Sequence, residues 1–189
     1  MLFRSLGMSA IEAGLAYLPA TVVIFLVSGA TSSLGEKVSH RVMISAGLGL
    51  VAVGMALMTL ATADSSWTAL LPGMLLAAVG TGLFNPSVIA VALGSVPVEQ
   101  SGLAAGVNDT FRQAGIAVGV AALGALVPAN SALGGGSPVK YVDGLHNALF
   151  AGAGLAAVAA VAAAVLIGRR AEHDAAEVPI EAQVAVEAA

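Results

Sequence analysis

Five stretches of the chain run for about twenty residues with hardly a charge, which leaves little freedom in how it can fold. They cover about 13–34, 42–62, 67–93, 103–127 and 149–167. A helix needs about 20 apolar residues to cross the hydrocarbon of a bilayer. Each stretch is rich in Ala and Gly, and none alternates apolar with polar residues as a membrane β-strand does. In lipid, backbone N–H and C=O groups must pair within the protein, so stretches of this kind cross as helices. Composition points the same way. Only 10% of the residues are charged and 58% are hydrophobic, whereas an ordinary soluble domain carries about 25% charged residues. The expected fold class is an all-α membrane protein with five transmembrane helices.

The same inventory argues against several functions. The net charge is −4 and no basic patch exists to hold nucleic acid. There is no cysteine, and His40, His146 and His173 lie far apart, so no metal site and no cofactor are expected. No Ser/His/Asp set, HExxH pattern or paired intramembrane carboxylates occur, so the chain is not expected to be an enzyme.

Basic residues set the expected orientation, because cytoplasmic loops collect Lys and Arg. Lys37 and Arg41 lie between the first two spans, and Arg169 and Arg170 follow the last. Placing these four inside leaves only Arg4 and Lys140 outside. The expected organisation is an extracytoplasmic segment 1–12, a membrane bundle 13–168, and a mobile, acidic cytoplasmic tail 169–189. The connection from Pro128 to Asn147, with three consecutive glycines and a proline, reads as a long flexible loop.

The fourth span contains NDTFRQ (108–113). A charge in hydrocarbon costs roughly 2.5–3.5 kcal/mol on insertion scales. Helical positions three and four apart are neighbours, so Asn108, Asp109, Arg112 and Gln113 form one polar stripe. Three readings fit it. Asp109 or Arg112 lines a substrate and proton route, where an acid in low dielectric can exchange a proton. Alternatively, the two form an ion pair that fixes helix packing, or Arg112 reaches a lipid head group. Asn85-Pro86 is a second candidate. Proline removes one helix hydrogen bond and frees a carbonyl, which either borders a transport cavity or is satisfied by neighbours in a harmless kink. Gly115 and Gly119 form a GxxxG pair, suited either to dimerisation or, as the favoured reading, to close packing within the bundle.

Four stretches together carry a resemblance: LGMSAIEAGLAYLP (6–19), LGEKVSHR (34–41), SSWTALLPGMLLAAVGTGLFNPSV (65–88) and VPVEQSGLAAGVNDTFRQAGIAVGVA (96–121). They resemble the C-terminal part of major facilitator superfamily transporters, with the fourteen-helix drug/proton antiporters as the closest branch. The resemblance covers roughly residues 2–127 and implies a bundle truncated at its N-terminus, with about nine preceding helices in the complete transporter. It implies export of drugs or small metabolites by alternating access, coupled to protons. The implied partners are the lipid bilayer, a small-molecule substrate, protons, and the missing helices, in cis or from another chain. LGEKVSHR is similar to the family's cytoplasmic loop signature, with Lys37 and Arg41 matching and Ser39 standing where the signature has glycine. That loop either anchors the inside face or locks the inward and outward states. The signature's N-terminal copy and the antiporter motif do not occur in these 189 residues. The resemblance implies a multi-pass cell-membrane protein that is inactive without the other helices. The alternative is a non-transporting membrane fragment or assembly partner.

Overall fold

A computed structural model describes residues 10–34, 38–62, 67–127 and 138–176. Five α-helices follow one another: α1 Ala10–Leu34, α2 His40–Met58, α3 Leu71–Gly94, α4 Ser101–Gly124 and α5 Pro138–Ala176. Short 3-10 turns, Trp67–Leu70 and Val98–Gln100, lead into α3 and α4. No strand occurs among the described residues. Prolines punctuate the starts. Pro72 sits in the first turn of α3 and Pro138 opens α5, positions that favour proline because its fixed φ suits the start of a helix.

Four of these helices contain stretches long and apolar enough to cross a membrane: Gly14–Thr31, His40–Met58, Thr68–Gly94 and Lys140–Ile167. Helix α4 is as long as α3 but is interrupted by Asn108, Asp109, Arg112 and Gln113. Its place in a membrane therefore rests on partners for those polar groups rather than on apolarity alone.

The long loop expected up to Asn147 is shorter than the sequence suggested. Helix α5 already begins at Pro138 and runs 39 residues, about 58 Å at 1.5 Å per residue. It overshoots a hydrocarbon core of about 30 Å, and its charged residues fall near the two ends, Lys140 and Asp143 at one and Arg169, Arg170, Glu172 and Asp174 at the other. The expected tail thus begins as helix as far as Ala176, and the rest of it lies outside the described residues.

Small residues fill much of the interior, with Ala16, Ala20, Ala52, Ala78 and Ala148 buried beside Met43, Ile44, Leu70 and Tyr141, while Phe25, Leu26, Leu155 and Val158 face outward. Against lipid there is no hydrophobic gain from burying a large side chain, so helices associate through close backbone contact. Helices α2 and α3 form the central pair; α1 packs on α3, and α5 packs on α2. Two glycine pairs make the α2–α3 seam. A Cβ on Gly54 would lie 2.7 Å from the Gly73 carbonyl oxygen, and one on Gly73 2.6 Å from that of Gly54. Seven residues along, a Cβ on Gly47 would lie 2.7 Å from the Gly80 oxygen. Only glycine permits this approach.

The helix break at Pro86 is closed by side chains of α1. Proline at 86 removes the N–H that would bond the Gly82 carbonyl four residues back. Thr31 Oγ1 lies 3.1 Å from that oxygen and 2.7 Å from the Val27 carbonyl of its own helix, so its single proton is shared between them. Ser28 Oγ adds a longer donor at 3.4 Å. Thr31 is buried for this purpose, and Gly82 brings its backbone against Val27.

Candidate functional site

Helix α4 presents the polar stripe on a scaffold that scarcely embraces it. No described residue of α4 is buried, and its packing against α3 and α5 is light. Within it, Arg112 Nε donates to Asp109 Oδ1 at 3.1 Å, and Arg112 Nη2 donates to the same oxygen. The side chains are 50% and 55% exposed within the chain. Arg112 stands eleven residues from Ser101 in a 24-residue helix, about 17 Å along the axis. That position is far from either end of the helix.

The other members of the stripe are arranged unequally. Asn108 is half-buried and lines a cleft of about 450 Å³ between α3 and α4, together with Ala92, Val96, Gln100 and Phe111. Gln113 is exposed and makes no side-chain hydrogen bond with the described residues. Asn85 is half-buried on α3 but is not among the side chains lining that cleft. Among the described residues, this cleft takes Asn108 but not Asn85, Asp109, Arg112 or Gln113. At Asn85-Pro86 the carbonyl that the proline frees is hydrogen-bonded by Thr31 and, at longer range, Ser28. The Thr31–Gly82 contact had no signal in the sequence beyond a hydroxyl on an apolar helix.

Glycines 115 and 119 do not pack within the chain. A Cβ at either would meet nothing within 4 Å, and the same holds at Gly102 and Gly106 of α4. The glycines in close contact are instead Gly47, Gly54, Gly73 and Gly80 at the α2–α3 seam, Gly82 against Val27, and Gly152 against Met55. At the loop signature, Lys37 lies outside the described residues and Arg41 is exposed in the first turn of α2. Ser39 adopts φ −60°, ψ 141°, an extended backbone open to any residue. Its carbonyl starts α2, accepting from the N–H groups of Val42 and Met43 at 3.0 and 3.2 Å. The tight turn thus has no need of glycine at this position.

A contact the sequence did not suggest lies at the other end of the bundle. His146 Nε2 of α5 lies 2.7 Å from the Ala61 carbonyl just beyond α2. A carbonyl only accepts, so the ring carries its proton on that nitrogen and donates.

Close backbone contacts at glycine, large apolar residues facing outward and an ion pair halfway along one helix are the marks of a polytopic membrane protein. The chain belongs to the Major Facilitator Superfamily, whose family model matches residues 1–188. It is 36% identical over 129 residues to a probable actinorhodin transporter of Streptomyces coelicolor, covering 64% of this chain and 22% of that protein. It is 32% identical over 116 residues to the multidrug resistance protein Stp of Mycobacterium tuberculosis, covering 61% and 21%. A multidrug efflux pump of Mycolicibacterium smegmatis, LfrA, is 29% identical over 124 residues, covering 66% and 25%. The matched part spans about a quarter or less of the length of these relatives. No solved structure matches the chain. The chain is thus a multi-pass cell-membrane protein of a transporter family whose relatives include drug and antibiotic exporters.

Proposed function

We propose that this chain forms most of one helix bundle of a secondary exporter of drugs or small metabolites. It works by alternating access, two bundles rocking about a site between them. The observation that carries this reading is α4, a helix with no buried residue and a half-exposed Asp109–Arg112 pair at its centre. Such a pair is tolerated in a bilayer only where it faces protein or a watery cavity. The stripe therefore faces the second bundle, and Asp109, Arg112 and Asn108 border the route that substrate and protons take. Coupling to protons is part of the proposal, with Asp109 the group that binds and releases one. The N-terminus lies outside and the C-terminus in the cytoplasm, as the placement of Arg41, Arg169 and Arg170 favours.

In this reading the five helices do not transport without the other bundle. The test uses proteoliposomes with an imposed pH gradient and ethidium as the transported probe. The chain alone is expected to show no gradient-driven movement. The chain joined behind the N-terminal helices of LfrA is expected to move ethidium, and Asp109→Asn in that chimera to reduce the rate at least tenfold. Transport by the chain alone would overturn the need for a second bundle. Unchanged rates in Asp109→Asn and Arg112→Gln would remove the stripe from the route.

A further inference from the structure

Contacts between helices set how far along the bundle each residue stands. Helices α2 and α5 run antiparallel and in step. His146 lies against the Ala61 carbonyl, and six residues further along α5 Gly152 meets Met55, six residues earlier on α2. Leu123 of α4 reaches the same place, its Cδ1 lying 3.7 Å from where a Cβ on Gly152 would be. Met55, Gly152 and Leu123 therefore share one level. Fourteen residues from it, about 21 Å at 1.5 Å per residue, stand Arg41 on α2, Leu166 on α5 and Asp109 on α4.

The start of α4 fits the same alignment. The pairs Gly73–Gly54 and Gly80–Gly47 keep α3 in step with α2, and carried onward they set Ala92 six residues beyond the level of Arg41. Ala92 and Ala104 line one cleft, and Ala104 lies five residues before Asp109.

The level of Asp109 is an edge of the apolar zone. The apolar span of α2 opens at His40 and that of α5 closes at Ile167, each one residue away. Arg112 stands one turn further in. Ser101 lies 22 residues from the level of Met55 and His40 only fifteen, so α4 is displaced toward the Arg41 end by about 10 Å. The middle of α4 is therefore not the middle of the bundle, which on this helix falls near Val118, level with Val158 of α5. From Ala114 to Gly124, about 16 Å, no side chain of α4 carries a nitrogen or oxygen. The polar part of the helix is one-ended.

Charge gathers at that edge. Arg41 shares the level of Asp109, and Arg169 and Arg170 follow about one turn beyond it on α5. Helix α3 has no charged residue, and α1 has only Glu12, at its other end. An ion pair in a bilayer needs protein or water around it. At the edge water is about a turn away, whereas at mid-depth it would be about 15 Å away.

We propose that the Asp109–Arg112 pair serves the mouth of the route on the Arg41 side. Asp109 takes a proton from water on that side and returns it there, passing between carboxylate and carboxylic acid. The apolar run 114–124 is the dry barrier toward the other side. This role rests on the transport reading; the depth of the pair does not.

The chain has no cysteine, so a spin label on a single introduced one reports a single position. Phe111 and Val118 are exposed on α4, as are Val158 and Leu166 on α5. Each is changed to Cys in turn (Phe111→Cys, Val118→Cys, Val158→Cys, Leu166→Cys) and labelled in lipid nanodiscs. Collision with oxygen and with a nickel chelate then gives its depth. Val118 and Val158 are expected to be deepest, with Phe111 about 10 Å shallower and close to Leu166. Phe111 as deep as Val158 would overturn the inference and leave the transport reading as it stands. The side is tested in the chimera with the LfrA helices, made cysteine-free, in right-side-out and inverted vesicles. An impermeant maleimide applied from whichever side labels Arg41→Cys is expected to label Asp109→Cys, and Gly119→Cys at least tenfold more slowly. Labelling of Asp109→Cys from the opposite side, or of Gly119→Cys as fast, would overturn the one-sided mouth.

Discussion

Helix α3 and helix α4 are both 24 residues long, both rich in glycine, and folded by the same chain into opposite roles. On α3, Gly73 and Gly80 meet Gly54 and Gly47 of α2 so closely that no side chain fits between the backbones. On α4, Gly102, Gly106, Gly115 and Gly119 face open space. The difference teaches that small residues in a membrane helix advertise a contact without saying with what. Where the contact is internal, glycine sets the distance between helices. Where it is open, as on α4 beside a charged pair, nothing among the described residues fills the space over the glycines.

The largest test of this contrast is bulk in the seam. Gly54→Val would drive methyl groups into the Gly73 carbonyl and should cost about 3 kcal/mol, the upper end of overpacking effects. Reversible unfolding in mixed micelles measures it. Gly115→Val on α4 should change the same quantity by less than about 0.5 kcal/mol. If both variants lose equally, the two helices are not different in kind.

Next in size is the repair at Pro86. Thr31→Val removes the better donor to the Gly82 carbonyl and leaves only Ser28 at 3.4 Å. A loss of about 1–2 kcal/mol is expected for a buried acceptor deprived of its partner. In a Pro86→Ala background the restored N–H reaches that carbonyl, and Thr31→Val should then cost little. A cost independent of residue 86 would show that Thr31 acts only through its own helix.

His146→Ala should cost about 1 kcal/mol, one hydrogen bond between α5 and the end of α2. Faster hydrogen exchange around Ala61 would locate the loss, and unchanged exchange there would show that the contact does not hold α2 in place. The smallest effect is expected at the stripe. Asp109→Asn in this chain should shift stability by less than about 1 kcal/mol, because the pair is half-exposed. A large loss here would mean that α4 is held by its ion pair, and the contrast with α3 would narrow.

Much of this was legible beforehand. Long apolar runs without alternation dictated helices, since the backbone has no other way to satisfy itself in lipid. The adjacency of Asp109 and Arg112 followed from helical spacing alone, and the pair is observed. Pro86 announced a freed carbonyl. What could not be read was everything that depends on which helix stands beside which. The sequence pointed to Gly115 and Gly119 as packing residues because GxxxG is a local pattern, whereas the glycines of the α2–α3 seam lie seven apart. The partner of Gly82 lies 51 residues away at Thr31, and that of His146 lies 85 residues away at Ala61. The start of α5 was also hidden, because glycines and a proline mark a connection without saying how soon the helix resumes.

The amino-acid sequence by itself determined the solvent, the secondary structure and the cost of a charge in mid-helix. Each follows from transfer energies and backbone geometry counted along one segment. Tertiary structure alone decided which glycines touch, which hydroxyl answers the proline, and that α4 remains uncovered. Those are contacts between segments, set by close packing across distances in sequence over which no local preference acts.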